Sequence, residues 1–465
     1  MASTAGTDDR AFLGHPKALA FISFTEAWER FSYYGMQTLL VLYMVHQLLL
    51  PGHIEHVAGF GFLRSLLEHG QPLSNQKLAS AVFGLYTGLV YLTPILGGFL
   101  ADRLLGRTPT VILGGCLMAL GHFLMAFDAS FLVALVCLML GAGCFKGNLA
   151  TQVGSLYKEG DNRRADAFQI YYLGINAGVI VSPFVTGTLG EKVAWHYGFG
   201  AAGLGMLISL AIYLTGRKHL PPDPPLRAKA KADRPTMTGV EWRRVVLLVA
   251  MLPILSAAIV GNNQIFNAYL VWAEKSADLH LFGIPILTTW LVSVDSIVSV
   301  ATLALMVLFW RIWKTRFPEP DELGKIIIGC LFAGAGVACL GIGSALAGTE
   351  KVGFGWLLAF HLLNDIGFAN VLPVGLALYA RSAPKAIAAT IVGVYYLHLF
   401  AGNLFVGFLG TLLETMPAAR FWLMHAALVG GAGVVFFFVR LVFGKMLLGA
   451  PAEPDYIAAD AGETP

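Results

Sequence analysis

Glu26-Ala27-Trp28-Glu29-Arg30-Phe31-Ser32-Tyr33-Tyr34-Gly35 lies inside an apolar run that extends from Leu19 to Val45. A run of this length crosses a bilayer as a helix, for which about 20 residues suffice. On that helix Glu26, Glu29 and Arg30 fall at i, i+3 and i+4 and share one face, with Tyr33 and Tyr34 one turn further on. A charge at the centre of a lipid-facing helix costs roughly 2.5–3.5 kcal/mol, so three of them must look into protein or a water-filled cavity. A salt bridge pinning the helix to its neighbours would satisfy them, and so would a proton and ligand site. Membrane helices have simpler ways to pack, which favours the second reading.

The rest of the chain agrees with a membrane setting. Of 465 residues, 57% are hydrophobic and only 13% charged, which places the chain among polytopic helical membrane proteins. The five cysteines, Cys116, Cys137, Cys144, Cys330 and Cys339, all fall in apolar spans and read as small core residues, not as a disulfide framework or a metal site. Met1 to Lys17 is polar, without the apolar core of a cleavable signal peptide, so the first span is expected to act as an uncleaved insertion signal.

Hydropathy predicts twelve spans, at about 17–45, 78–101, 108–127, 131–156, 166–189, 197–216, 243–272, 281–310, 324–347, 353–380, 388–413 and 420–446. Residues 1–216 then form one six-helix bundle and 243–450 a second. Between them, 217–242 is a basic linker carrying Pro221-Pro222-Asp223-Pro224-Pro225 followed by Arg227, Lys229, Lys231 and Arg234, and 451–465 is a small acidic tail expected to be disordered. Six plus six suggests two structural repeats facing each other across a central cavity. With the N-terminus in the cytoplasm, 23 of the 31 lysines and arginines fall on cytoplasmic segments, six on the opposite side and two within spans. This bias predicts both termini inside, and the expected location of this multi-pass protein is the plasma (inner) membrane. His53 and His56, in the long outer loop from about His46 to Lys77, read as solvated loop residues.

Six ionisable residues other than histidines are expected well within spans: Glu26, Glu29, Arg30, Lys146, Asp295 and Asp365. Four acids face two bases, and a buried unpaired carboxylate tends to take up a proton. Such a site suits a proton or a cationic group. Lys146, in the fourth span, needs a counter-ion, which Glu26, Glu29 or a ligand's carboxylate would supply. Asp295 and Asp365 carry either a substrate or proton role or helix-to-helix hydrogen bonds. Asn262, Asn263, Gln264 and Asn267 give the seventh span an amide-rich face suited to a peptide backbone or to gating. His122, His361 and His398 are read as packing or hydrogen-bonding residues. Pro94, Pro183, Pro253, Pro285 and Pro373 lie in or near spans and permit bending.

Glu26-x-x-Glu29-Arg30-Phe31-x-Tyr33-Tyr34-Gly35 resembles the signature of the proton-dependent oligopeptide transporter (POT/PTR) family of the major facilitator superfamily. Gly97-Gly98-Phe99-Leu100-Ala101-Asp102-Arg103-Leu104-Leu105-Gly106-Arg107, continued by Thr110-Val111, Gly115 and Gly121, resembles the superfamily's loop motif and the family's first pattern. Phe168-Gln169-Ile170-Tyr171-Tyr172-Leu173-Gly174-Ile175-Asn176-Ala177-Gly178 resembles its second, with Val179 where a smaller residue is usual. The resemblance implies an all-α major facilitator fold of twelve transmembrane helices in two six-helix bundles. It also implies a proton-coupled symporter importing di- and tripeptides by alternating access, without cofactor beyond the proton gradient, acting as a monomer and touching no nucleic acid. Residue by residue it implies that Glu26, Glu29 and Arg30 form the proton-linked cluster. Arg30 and Lys146 would face the peptide carboxylate, and Tyr34, Tyr91 and Asn176 would hydrogen-bond the peptide. Asp102, Arg103 and Arg107 would stabilise the inner gate.

The C-terminal half departs from the pattern. Asn262-Asn263-Gln264 stands where an acid is usual, Asp295-Ser296 where Asn-Pro is usual, and Phe368 where a glutamate precedes Ser-Pro, with Asp365 one turn earlier. Asp295, with Asp365 second, is therefore expected to replace the acid for proton coupling and for the substrate amine. The linker has no room for the two extra spans that bacterial members often insert. No Gly-x-x-x-x-Gly-Lys-Ser/Thr loop and no His-Glu-x-x-His occurs, so neither ATP drive nor an intramembrane hydrolase is expected. Two rivals remain: a transporter of the same fold for an anion or a modified amino acid, and a non-transporting peptide sensor.

Overall fold

The structure, a computed structural model, describes residues 9–68, 71–158, 161, 163–223, 237–281 and 283–448. Among them, twelve helices take the places of the expected spans. The first six are α1 Lys17–Tyr43, α2 Asn75–Leu105, α3 Arg107–Leu124, α4 Asp128–Ser155, α5 Asp166–Lys192 and α6 Trp195–His219. After the linker come α7, in three pieces, α8 Trp290–Trp313, α9 Glu322–Ala347, α10 Phe354–Ser382, α11 Thr390–Glu414 and α12 Ala418–Leu448. Nine are long and apolar enough to cross a membrane on those grounds alone, and the bent α7 makes ten. The other two are α1, which carries the charged stretch, and the short α3. Large apolar side chains are left on the outside, for example Val434, Phe438, Leu441 and Val442 along α12. Such a belt belongs against lipid.

Local chemistry sets several of the ends. Ser74 accepts from the Lys77 amide at the start of α2, and Asp321 from the Gly324 amide at the start of α9 (2.7 Å). Thr238 and Glu241 form a reciprocal capping box, so the seventh span begins at Gly239, ahead of the apolar run that hydropathy detects. The loop residue Asp223 accepts from the Thr108 amide (2.9 Å) and hydroxyl (3.2 Å) in the first turn of α3. The basic residues Arg227 to Arg234 and the 451–465 tail lie outside the described residues.

Two expectations about the C-terminal half need correction. The eighth span starts at Trp290, not near 281, because His280–Leu281 and Ile284–Pro285 pair as a short antiparallel hairpin. Pro285 thus belongs to a loop. The seventh span is not one helix: α7a Gly239–Ala258 meets α7b Val260–Phe266 at 47°, and α7c Ala268–Ser276 follows. The amides serve that break. Gln264 donates to Val406 O (3.2 Å) and accepts from the Ala268 amide (3.2 Å), while Asn267 donates to Val406 O (3.4 Å). Backbone groups freed inside a membrane must be re-satisfied by neighbours. Gln264 and Asn267 are fully buried at the break, so they are not open to a peptide.

Within the first bundle α1 packs on α5 and α6, and α3 on α4; within the second, α9 packs on α10 and α12. The bundles meet along α2 with α11 and α5 with α8. Glycine makes the first contact possible, since a Cβ on Gly84 would strike the backbone of Gly407. Side-chain hydrogen bonds between the bundles all lie, among the described residues, in the half distal to the termini. They are His46 to Glu274, Ser74 to Glu414, Gln76 to Gly410 O, the Thr289 amide to Glu191, Trp290 to Thr188, and Ser293 to Ile180 O. At the face bearing the termini, the ion pairs Arg163–Asp161, Arg381–Glu322 and Arg440–Asp321 each stay within one bundle.

Candidate functional site

α1 delivers Glu26, Glu29 and Arg30 to one buried face, as the i, i+3, i+4 spacing requires. Arg30 Nε donates to Glu26 Oε1 at 2.7 Å and lies 2.9 Å from Glu29 Oε2. One guanidinium therefore serves two carboxylates. Glu26 Oε2 and both Glu29 oxygens have no hydrogen bond. Leaving part of a carboxylate's capacity unmet in a buried site is costly, and a proton or a ligand relieves the cost. Close approach of α5 holds the face in place: a Cβ on Gly178 would collide with the carbonyl of Ala27.

Lys146, half-buried on α4, makes no ion pair among the described residues. Its Nζ sits 3.7 Å from the Tyr33 ring centroid, a cation–π contact that holds the ammonium without neutralising it. Glu26 and Glu29 are thus not its direct counter-ions. Tyr33 was not among the residues expected at the site, although its place one turn after Arg30 pointed there. Tyr34 is half-buried with its ring 5.8 Å from that of Phe266 on α7b, so it bridges the bundles. Tyr91 packs against the apolar cluster of the second bundle. Asn176 donates to Tyr172 O of its own helix (2.8 Å).

Asp102 and Arg103 are exposed in a π-helical turn, and Arg107 starts α3. None of the three makes an ion pair among the described residues. The contact that closes this corner comes from Asp223.

The second bundle assembles a different centre. Asp295 of α8 accepts from His361 of α10, Oδ1 to Nδ1 at 2.8 Å, and His361 Nε2 lies 2.8 Å from the Tyr269 hydroxyl of α7c. All three are buried. His361 is thus tied to an acid, and the reading of it as a packing residue falls short. Asp365, one turn along α10, is 1% exposed and neither carboxylate oxygen has a partner; its neighbour Asn364 is likewise unpartnered. His122 fits the packing expectation: its Nε2 is 2.6 Å from Ser32 Oγ, which donates to Ala202 O. His398 bonds Tyr395 O of its own helix.

At the distal face His46, just beyond the first span, bonds Glu274 at 2.7 Å. That hydrogen bond raises the His46 imidazole above its ordinary value, against the opposing effect of burial. His53 bonds Asp128 (2.6 Å) and is not simply solvated.

A protein-family model described as the POT family matches residues 108–233. An uncharacterized transporter, YclF, of Bacillus subtilis (strain 168) is 29% identical over 89% of this chain and 91% of its own length. A di-/tripeptide transporter of Lactococcus lactis subsp. cremoris is 28% identical over 95% of this chain and 97% of its own. A crystal structure of a mutant peptide transporter POT in complex with alafosfalin superposes with a TM-score of 0.82 at 26% identity, covering 94% of this chain and 97% of that one.

Proposed function

We propose, from the match to the POT family model over residues 108–233 and from the likeness to solved transporters of that family, that the chain is a POT-type, proton-coupled symporter of the major facilitator fold that imports di- and tripeptides by alternating access. The observation that carries the reading is the sharing of Arg30 between Glu26 and Glu29 at 2.7 and 2.9 Å while Lys146 stands without an acid. Protonation of either glutamate releases part of Arg30's charge. The freed guanidinium, with Lys146, then binds a peptide carboxylate by charge-assisted hydrogen bonds. Asp365, buried and unpartnered, offers the substrate amine a negative wall in the other bundle, with Asp295 beside it. Tyr34, Tyr91 and Asn176 supply polar contacts to the backbone. Inward release of the proton restores the acid–arginine contacts and expels the peptide.

The basic-residue bias supports cytoplasmic termini, and relatives from bacteria support the inner membrane. In that orientation the distal contacts between bundles close the outer side, so this is an inward-facing state. Asp102, Arg103 and Arg107 would then engage when the inner side closes. A monomer suffices, since each step uses groups of one chain.

The test is uptake of labelled dialanine into proteoliposomes, with and without an inward proton gradient, for wild type and Glu29→Gln. The proposal expects gradient-driven uptake that fails in the variant while exchange persists. Absence of dipeptide uptake by reconstituted wild type overturns it. Competition by nitrate or free amino acids, without competition by dipeptides, would favour another solute.

A further inference from the structure

From the Asp295–His361–Tyr269 chain we infer that the C-terminal bundle holds a second proton-binding site, with His361 as the proton carrier, Asp295 as its counter-ion and Tyr269 as the group that reads its charge. The inference rests on the proton-coupled reading above and adds to it two residues that reading does not use, His361 and Tyr269.

The hydrogen bonds define the chemistry. A carboxylate can only accept, so His361 Nδ1–H donates to Asp295 Oδ1 (2.8 Å). In a neutral imidazole Nε2 then carries a lone pair and accepts from the Tyr269 O–H (2.8 Å). When a proton adds to Nε2, the new N–H becomes the donor and the Tyr269 oxygen must accept. The tyrosine hydrogen therefore has to leave that bond. Release of the proton reverses each change, and no other atom is exchanged. Asp295 compensates the imidazolium, which removes much of the cost of charging a buried ring.

Two groups here can take up a proton, His361 and the unpartnered Asp365, and of the two His361 has a counter-ion within hydrogen-bond reach. The titratable groups facing it are Asp295 from α8, Tyr269 from α7c and Asp365 one turn away on α10. From α12, His425 lies across Trp422 and is held by Gln264 (3.1 Å) and Phe421 O (2.8 Å). The charged residues of α9, Glu322 and Lys325, sit in its first turn, engaged by Arg381 and Glu319. Arg30, Glu26 and Glu29 form their own cluster on α1. Asp365, with both oxygens unpartnered, is an independent sign that this interior receives a cationic group.

Tyr269 gives the site a mechanical consequence. It stands two residues past the break at Asn267, and its ring is bounded by Phe360, Trp272 and Trp422. The same short helix, α7c, carries Glu274, which reaches across to His46. The charge of His361 and the distal contact between bundles are thus read by one nine-residue element.

The experiment combines a transport assay with a direct titration. In proteoliposomes, His361→Gln should lower gradient-driven dialanine accumulation about tenfold, with counterflow, which needs no net proton movement, affected far less. In nanodiscs, nitrogen NMR of labelled histidine should show a titrating imidazole that is absent from His361→Gln. In Asp295→Asn it should titrate about one pH unit lower or more, as removal of an adjacent negative charge requires. Tyr269→Phe should keep the titration and alter only its midpoint. A His361 signal that does not titrate, or gradient-driven uptake in His361→Gln equal to wild type, overturns the inference. A titrating His361 in a protein that takes up no dipeptide supports it and defeats the peptide reading alone.

Discussion

The two bundles solve the same problem, charge inside a membrane, in opposite ways. The first gathers two acids and an arginine within five residues of one helix and leaves a lysine against a tyrosine ring. The second spreads an acid, a histidine and a tyrosine over α8, α10 and α7c, and leaves Asp365 alone. The local arrangement relies on helical spacing; the dispersed one relies on three helices staying in register. The first is therefore a stable anchor for charge, and the second is sensitive to movement of any of its helices.

The contrast makes predictions of decreasing size. Glu29→Gln in the first bundle should reduce gradient-driven dialanine accumulation to the level of protein-free liposomes, while counterflow persists. A larger defect from Asp365→Asn in the same assay would reverse the assignment of roles. Arg30→Lys should raise the dialanine KM about tenfold or more, since a hydrogen bond to a charged group contributes roughly 1.5–3 kcal/mol. Lysine keeps the charge but cannot serve two carboxylates and a ligand at once.

That difference also governs what could be read from the chain before its fold was known. The α1 cluster was legible because i, i+3 and i+4 put its members on one face whatever the tertiary structure. Most of the spans followed from hydropathy, while the bend in the seventh and the start of the eighth did not. The Asp295–His361 pair is separated by 66 residues, and no spacing rule connects α8 to α10. His361 and Asp365, four apart on one helix, offered the single local hint. The break in α7 was hidden for a related reason. Asn262 to Asn267 announces polarity, but only the position of Val406 on α11 shows that the amides are spent on a bend.

Smaller effects refine the comparison. Asp365→Asn should raise the KM for dialanine about tenfold, the worth of one charge-assisted hydrogen bond, and leave inhibition by N-acetylated dialanine unchanged. Equal losses for both peptides would show that Asp365 does not meet the amine. Gly84→Val should lower thermal stability by about 1–3 kcal/mol, because the added carbons cannot fit beside Gly407 without separating the bundles. Unchanged melting in nanodiscs would deny the close approach.

The smallest effect belongs to the distal latch. His46 gains its proton more readily when bonded to Glu274, so the pair's contribution to closure is complete below the ordinary histidine pKa of about 6.5. It is lost as pH rises through the elevated value. His46→Gln should remove this pH dependence and change the closed-to-open ratio by less than about threefold, as for other solvent-screened pairs. Spin-label distances between the bundles at pH 5.5 and 8.5 would measure it. A pH response in the variant as large as that of wild type would place the sensor elsewhere.

The most direct test of the whole account is dialanine-driven proton movement into pyranine-loaded proteoliposomes, compared between wild type and Glu29→Gln. The account predicts that adding dialanine outside acidifies the lumen of wild-type vesicles and leaves the variant's lumen unchanged. Dialanine that accumulates in wild-type vesicles without any acidification would contradict it, because the glutamates that share Arg30 would then carry no proton across with the peptide.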